Sequence, residues 1–179
     1  MTFIIVETDR PTPITPEVLA AEEARSVSCL AEHYAQWRYS LLSSDRHRMI
    51  CTFDAPDVEA VRMAYRKANV SFEKMWAEQV LEPPGTPPIW QESALAVAES
   101  FYPGGLTNEQ WNTQWQVVTE QLLPFYAQQG VEWVRSHVAP NRTLVLYELN
   151  TPDLNLIRHA HQQFNLPLSR IWSAMLFKP

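Results

Sequence analysis

The sequence predicts an α+β protein built from two tandem ferredoxin-like repeats, each with the element order β-α-β-β-α-β. The first observation is that residues 37–76 align with residues 133–172 without a gap. The second is that a helix-start signal, Thr15-Pro16-Glu17, recurs as Thr107-Asn108-Glu109. Self-similarity at a fixed spacing indicates duplication of a whole folding unit. The aligned identities include Trp37 with Trp133, Ser40 with Ser136, Pro56-Asp57 with Pro152-Asp153, and Trp76 with Trp172.

The first repeat begins with a short stretch rich in β-branched residues, 3–8, which is typical of a strand. Thr15 is predicted to cap a helix that starts at Pro16, where the missing N–H is harmless, and runs to about Tyr34. Strands are predicted at 37–42, 48–53 and 74–81, and a second helix follows Pro56-Asp57 and ends near Asn69. The predicted inner stripe of the first helix is Ala20, Ala24, Val27, Ala31 and Tyr34.

The second repeat has the same plan from residue 95. A strand at 95–100 leads through a Gly104-Gly105 turn to a helix capped by Thr107. Strands are predicted at 131–138, 142–149 and 170–177, and Thr151-Pro152-Asp153 starts the last helix. The domain boundaries predicted from this pattern are 1–81 for the first repeat, 82–94 for a semi-rigid proline-rich linker, and 95–179 for the second repeat.

Two right-handed crossovers with this element order give a four-stranded antiparallel sheet with both helices on one face. The other face must be covered. Two tandem repeats that cover each other would form a pseudo-dimer resembling a dimeric α+β barrel. The alternative is that a second chain supplies the cover, which leaves a homodimer open.

Composition excludes several classes of protein. The apolar fraction is 46%, which is enough for a core, and the formal net charge of −6 argues against nucleic acid or an anionic membrane surface as the partner. Cys29 and Cys51 are the only cysteines, so we expect core thiols in a reducing compartment. The first residues lack the basic and apolar regions of a signal peptide, and no segment approaches a membrane span. We therefore expect a cytoplasmic protein.

Strand alternation predicts one sheet face of the second repeat that combines apolar walls with a few ionisable groups, as ligand pockets do. The first repeat has Leu41 and Thr52 where the second has His137 and Glu148. The sequence therefore predicts one site per chain, on the second repeat. Its predicted ligand-binding residues are Glu99, Trp133, Arg135, His137 and Glu148.

The chemistry of this set leaves three interpretations open. His137, Glu148 and Glu99 are suitable ligands for nickel or another divalent metal. His137 with Glu148 is also a general acid–base pair. The third interpretation is a buried pair that satisfies polar groups in an interface, and Arg135 favours a salt bridge with Glu148 or an anionic ligand over a metal ion. By contrast, His161 lies on an apolar helix stripe and is predicted to be a hydrogen-bonded core residue.

A family resemblance adds to these residues. The pattern Trp133-x-x-Ser136-x-Val138, then Arg142-Thr143-x-x-x-Tyr147-Glu148, then Pro152-Asp153-x-x-x-Ile157-Arg158, resembles a family of small bacterial domains of unknown function. Some of its members are described as nickel-binding proteins with a ferredoxin-like fold. This chain resembles a two-copy version, and the resemblance implies a nickel-like metal. The first repeat departs from the pattern at Leu41 and Thr52, which implies that it has lost the site.

These residues favour two functions. The first is a non-enzymatic protein that binds a metal ion, nickel-like, or a small molecule at one site on the second repeat. The alternative is a cofactor-free enzyme of the dimeric α+β barrel kind, an oxygenase or isomerase with His137 as base. The sequence contains no Gly-rich phosphate loop, nucleophile elbow or HExxH motif that would favour another class.

Overall fold

The structure, a computed structural model, describes all of residues 1–179. It divides into two compact units, the first formed by Met1–Glu78 together with Met175–Pro179 and the second by Gln79–Ala174. The predicted linker, 82–94, lies within the second unit. No helix is long and apolar enough to cross a membrane.

The first unit has the predicted element order. Its strands lie in the order β4-β1-β3-β2. The last strand of the chain, β9 (Arg170–Phe177), neighbours β2, and residues 175–177 of β9 belong to this unit. Both β1–β3 and β2–β3 pair antiparallel. The elements are β1 (Thr2–Asp9), α1 (Pro16–Glu32), β2 (Gln36–Ser43), β3 (Arg48–Ala55), α2 (Val58–Ala68) and β4 (Lys74–Ala77).

The second unit has the strand order β9-β6-β8-β7-β5, and its neighbouring strands pair antiparallel as well. Antiparallel sheets with interspersed helices confirm the α+β class. The elements that precede β9 are β5 (Gln79–Leu81), β6 (Leu95–Phe101), α3 (Asn108–Val117), a π-helical turn (Val118–Leu122), α4 (Leu123–Gln128), β7 (Glu132–Val138), β8 (Leu144–Asn150) and α5 (Leu154–Gln163).

The predicted helix starts are confirmed. The Thr15 hydroxyl accepts from the Val18 amide, and Thr107 forms a capping box with Gln110. In each case a side-chain oxygen satisfies an amide that has no partner within the helix. Asp57 and Asp153 cap α2 and α5 in the same way, and Asn69 ends α2 in the left-handed conformation with φ 52°.

The single strand predicted at 74–81 is wrong. The chain breaks at Glu78, whose amide donates to the Phe3 carbonyl at 3.0 Å. On one side of the break β4 pairs with β1, and on the other side β5 pairs with β7. The propensity of the segment is strand-like throughout, but the pairing partner changes at Glu78, and propensity contains no information about partners.

The predicted inner stripe of α1 is also wrong. Its members Ala20, Ala24, Val27, Ala31 and Tyr34 are all exposed, with Tyr34 77% exposed. The face that packs on the sheet instead carries Leu19, Cys29 and Leu30. Three of the five predicted residues are alanines, which bury little apolar area, so leucine contacts determine the helix rotation.

Each unit has its own apolar core between its helices and one face of its strands. Cys29 and Cys51 are buried and unbridged in the first core, as predicted. Burial raises the pKa of the Cys51 thiol to about 11, so this thiol stays protonated and unreactive at neutral pH. In the second unit His161 is 1% exposed, with Nδ1 3.1 Å from the Pro167 carbonyl oxygen, which confirms the predicted core histidine.

Adjacent glycines after β6 provide a matched test of the fold. The Gly105 amide donates to the Tyr102 carbonyl, with Pro103 and Gly104 (φ 77°) as the central residues of a tight turn. A methyl group on Gly104 would meet nothing within 4 Å, whereas one on Gly105 would lie 2.2 Å from the Asn141 carbonyl oxygen.

We expect Gly104→Ala to lower the free energy of unfolding by about 1 kcal/mol, through backbone strain alone. Gly105→Ala should cost about 3 kcal/mol, because backbone must also shift. Equal losses in urea titrations would contradict this assignment.

His161 predicts a pH dependence of stability. Burial lowers the pKa of His161 to about 4 from 6.5. Between these values the unfolded chain takes up a proton that the folded chain does not, so stability is lost as pH falls. The loss should reach about 3 kcal/mol by pH 4. Urea unfolding of the wild type and of His161→Leu at pH 7 and pH 5 checks this. The variant should have a shallower pH dependence, and identical slopes would exclude His161 as the cause.

Candidate functional site

A one-residue bulge in β7 determines which side chains reach each face of the second sheet. Trp133 pairs with Leu149, and the register then shifts so that Arg135 pairs with Glu148. The bulge places Trp133 on the same side as Ser136, whose hydroxyl accepts from the indole N–H at 2.9 Å. Beyond the bulge, Arg135 and His137 alternate regularly onto the opposite face.

Trp133 therefore does not lie on the face of the other predicted site residues, and the predicted face is wrong for this residue. Its ring packs on the helix-bearing face against Trp115, with ring centroids 6.0 Å apart. Simple alternation, which assumes two residues per repeat, places a residue before a bulge on the wrong face.

The centre of the predicted site is a closed pair. Nε2 of His137 lies 2.7 Å from Oε1 of Glu148, and each side chain is 1% exposed. An ionised carboxylate only accepts, so in the neutral ring Nε2 carries the proton and Nδ1 is the acceptor nitrogen. Adjacent strands position the pair, because β7 residue 137 and β8 residue 148 are diagonal neighbours on one face.

Three further side chains of the same unit complete this polar group. The Trp90 indole N–H donates to Oε2 of Glu148 at 2.8 Å. The guanidinium of Arg135 lies 4.8 Å from the centre of the Trp90 ring, and its Nε is 3.9 Å from Glu148. Arg135 also pairs with Glu82 at 3.2 Å, near the surface. Both carboxylate oxygens of Glu148 are thus engaged by donors.

Glu99 lies on the same face but is not part of the pair. Leu146 of β8 pairs with Glu99 of β6 on one side and with His137 of β7 on the other. Two strand spacings separate Glu99 from His137, about 10 Å between backbones. Oε1 of Glu99 accepts from the Trp172 indole at 2.7 Å.

The first unit serves as an internal comparison. Trp76 donates to Glu7 at 2.7 Å, as Trp172 does to Glu99, and Trp37 donates to Ser40 at 2.9 Å, as Trp133 does to Ser136. The shared contacts are therefore structural.

The units differ at the remaining polar positions of this face. In the first unit Leu41 pairs with Ile50, and the matching pair of the second unit is His137 with Leu146. Likewise Tyr39 pairs with Thr52 in the first unit, and the matching pair of the second unit is Arg135 with Glu148. In the first unit Arg48 instead neutralises Glu7 at 2.8 Å.

A resident divalent metal does not fit the predicted ligands. Glu148 already binds His137 and Trp90, a guanidinium lies beside it, and Glu99 is bound to Trp172 on another strand. The chain contains no group of three or more His, Cys, Asp or Glu side chains arranged to hold a metal ion. Coordination would require each of these hydrogen bonds to break and a positive charge to approach Arg135.

Trp90 and Glu82 are the site residues that sequence reasoning missed. Both lie in the segment predicted to be a linker, 82–94, and neither has a counterpart in the aligned stretches. The available signal was the presence of a large amphipathic ring among the prolines, which typically indicates a packed rather than a free segment.

Comparison with known proteins places these observations in context. The model of the family described as "Nickel responsive protein SCO4226-like" matches residues 3–77, which confirms the predicted resemblance over the first repeat. No curated protein matches the chain. The match therefore covers the unit that has Leu41 and Thr52, and not the one that has His137 and Glu148.

Two solved structures are among those similar to this chain. SCO4226 from Streptomyces coelicolor A3(2) is 12% identical, with 41% of this chain and 90% of that chain covered and a TM-score of 0.38. A structure described as an anthrone oxidase-like protein is 10% identical, with 99% of this chain and 90% of that chain covered and a TM-score of 0.50. At this identity the second similarity concerns the fold alone.

The buried pair predicts strong thermodynamic coupling. Removing one partner leaves a buried polar group, so His137→Leu or Glu148→Thr alone should cost about 3 kcal/mol. The double variant carries the residues of the first unit and should cost less than either single variant, because it leaves neither an unpaired imidazole nor an unpaired carboxylate buried. A double-mutant cycle from urea unfolding measures this coupling. Additive losses would show that the two side chains act independently.

Proposed function

We propose that the chain is a non-enzymatic protein that binds a small organic molecule at one site on its second unit, beside His137 and Glu148. The first unit carries the proposal as an internal comparison. It forms the same strand order and the same Trp–Ser and Trp–Glu contacts with Leu41 and Thr52 in place of the pair. The fold therefore does not require an ionisable pair at these positions.

The energetics of the pair support this proposal. Two ionisable side chains at 1% exposure cost more desolvation energy than the leucine and threonine of the first unit, neither of which carries a charge. The first unit has its own buried ion pair, Arg48 with Glu7, but at other positions. A polar pair at positions where the first unit has Leu41 and Thr52 favours a role in binding over a role in folding. The pair lies beside apolar Val97 and Leu146, and the Arg135 guanidinium lies close to Glu148, so these surroundings suit an organic ligand better than a metal ion.

We also infer that the two units are tandem ferredoxin-like repeats that diverged after duplication. The matched strand orders and the matched tryptophan contacts at 2.7 and 2.9 Å support this relation. Divergence of one copy after duplication accounts for a single site per chain.

The enzyme is a second candidate, and one observation favours it. A carboxylate that holds an imidazole at 2.7 Å fixes the ring tautomer, as the orienting acid of a general base does. In this scheme His137 removes a proton from the acidic methylene carbon of an anthrone-like substrate. The resulting carbanion is oxidised by dioxygen, of which one oxygen atom becomes the new carbonyl oxygen and the other leaves as water with the two methylene protons. The anthrone oxidase-like structure suggests anthrone as the probe substrate.

The proposal predicts a ligand that depends on the pair. Denaturing extraction and mass spectrometry of the purified wild type should yield a small organic molecule. The His137→Leu/Glu148→Thr double variant, prepared identically, should yield none, since it carries first-unit residues at both positions. Calorimetry with nickel should show no difference between the two proteins.

Three outcomes would contradict binding at this pair. They are identical extracts from both proteins, an empty extract from the wild type, and nickel affinity that is lost with His137. Oxygen uptake with anthrone separates the second candidate. Turnover by the wild type that the double variant lacks would replace the binding function with catalysis, and no turnover would exclude anthrone oxidation.

A further inference from the structure

The second unit contains an open cleft of about 1050 Å³, whose lining includes neither His137 nor Glu148. We call it the proline-rimmed cleft. It lies between the segment after β5, the π-helical turn with α4, and the start of β7. Its lining includes Pro83, Pro84, Trp115, Leu123, Glu132 and Trp133.

The cleft is lined by features that the first unit lacks. In the first unit α1 is an uninterrupted helix, whereas the corresponding helix of the second unit contains a π-helical turn at Val118–Leu122. The Leu123 amide bonds back to Val118, and Pro124 comes next without an amide hydrogen. The turn adds a residue, and Thr119, Leu123 and Pro124 line the cleft. Such turns are rare and frequently mark functional sites.

Its walls are aromatic and held in place. Trp115 stacks on Trp111 at 5.3 Å and meets Trp133 edge to face at 6.0 Å. The Trp133 indole N–H is bound to Ser136, which fixes the ring, and prolines form part of the rim. A rigid wall loses little conformational entropy when a ligand binds.

The charge of the lining is one-sided. Its ionisable residues are Glu82 and Glu132, and it includes no lysine, arginine or histidine. Arg135 pairs with Glu82 at 3.2 Å. Glu132 instead accepts from the neutral amides of Gln91 at 2.8 Å and Asn150 at 2.9 Å, so its negative charge is held in place without a cation.

We propose that the proline-rimmed cleft binds a small organic amine, whose apolar body packs against Trp115 and Trp133 and whose ammonium group pairs with Glu132. Indole faces and a carboxylate attract a cation together, and an anionic ligand would meet only like charge. The cleft and the His137–Glu148 pair differ in their direct contacts. The bulge in β7 places Trp133 on the other face of the sheet. Glu82, which lines the cleft, reaches Glu148 only through Arg135.

Three probes of equal size and different charge test the proposal: 2-phenylethylamine, 2-phenylethanol and phenylacetate, titrated by calorimetry and tryptophan fluorescence. The amine should bind most tightly and phenylacetate least. Glu132→Gln keeps an acceptor oxygen but removes the charge, so it should weaken amine binding about fivefold and leave the alcohol unchanged. The control Glu120→Gln, on the exposed surface and bonded to Gln116, should change nothing.

Equal affinities for amine and phenylacetate, absence of saturable binding by any probe, or unaltered amine affinity in Glu132→Gln would overturn the proposal. The His137→Leu/Glu148→Thr variant should bind the amine as the wild type does. Loss of amine binding in that variant would show that the two sites are one. Retained amine binding together with failure of the extraction experiment would remove the proposed function and leave the cleft.

Discussion

The bulge in the second strand of each unit is the constraint on which the arrangement of both faces depends. In β2 it falls between Trp37 and Tyr39, and in β7 between Trp133 and Arg135. The extra residue lets a tryptophan and a serine three positions apart share one face and bond at 2.9 Å. Without it the tryptophan would point away from the helices, and the register beyond would invert. The Trp-x-x-Ser pattern is therefore a register device that both units share, and the units differ in the side chains that this register places on the opposite face.

Beyond the bulge the two units solve the same electrostatic problem differently. Each places a glutamate on its first strand and binds it with a tryptophan of its last strand. The first unit adds Arg48, which is buried against Glu7 and also reaches Asp9. The second unit has Leu144 at the matching strand position and concentrates its polar groups at Arg135, His137 and Glu148 instead. The two units therefore place their charged side chains at different positions of the same strand order, and a fold does not by itself fix the side chains on its open face.

Local signals in the sequence predicted most of the fold. Caps at Thr15, Thr107 and Asp153 have short-range causes, and strand alternation correctly placed His137 and Glu148 on one face. The failures have longer-range causes. Rotation of α1 depends on leucine contacts, the break at Glu78 depends on a change of partner, and Trp133 depends on a bulge that alternation ignores. Trp90 reaches Glu148 across 58 residues of sequence, a separation that no local pattern encodes.

The proline-rimmed cleft lies where the two units differ in backbone and not only in side chains. Positions that correspond in the two units lie in strands and helices that both units form. At these positions the units differ only in their side chains. A π-helical turn and a proline-rich segment lie outside the paired strands. Both occur in the second unit, and together with Trp133 they line a concave surface on a plan that the two units otherwise share. The tryptophan that fixes the register in the second unit thereby also lines the proline-rimmed cleft.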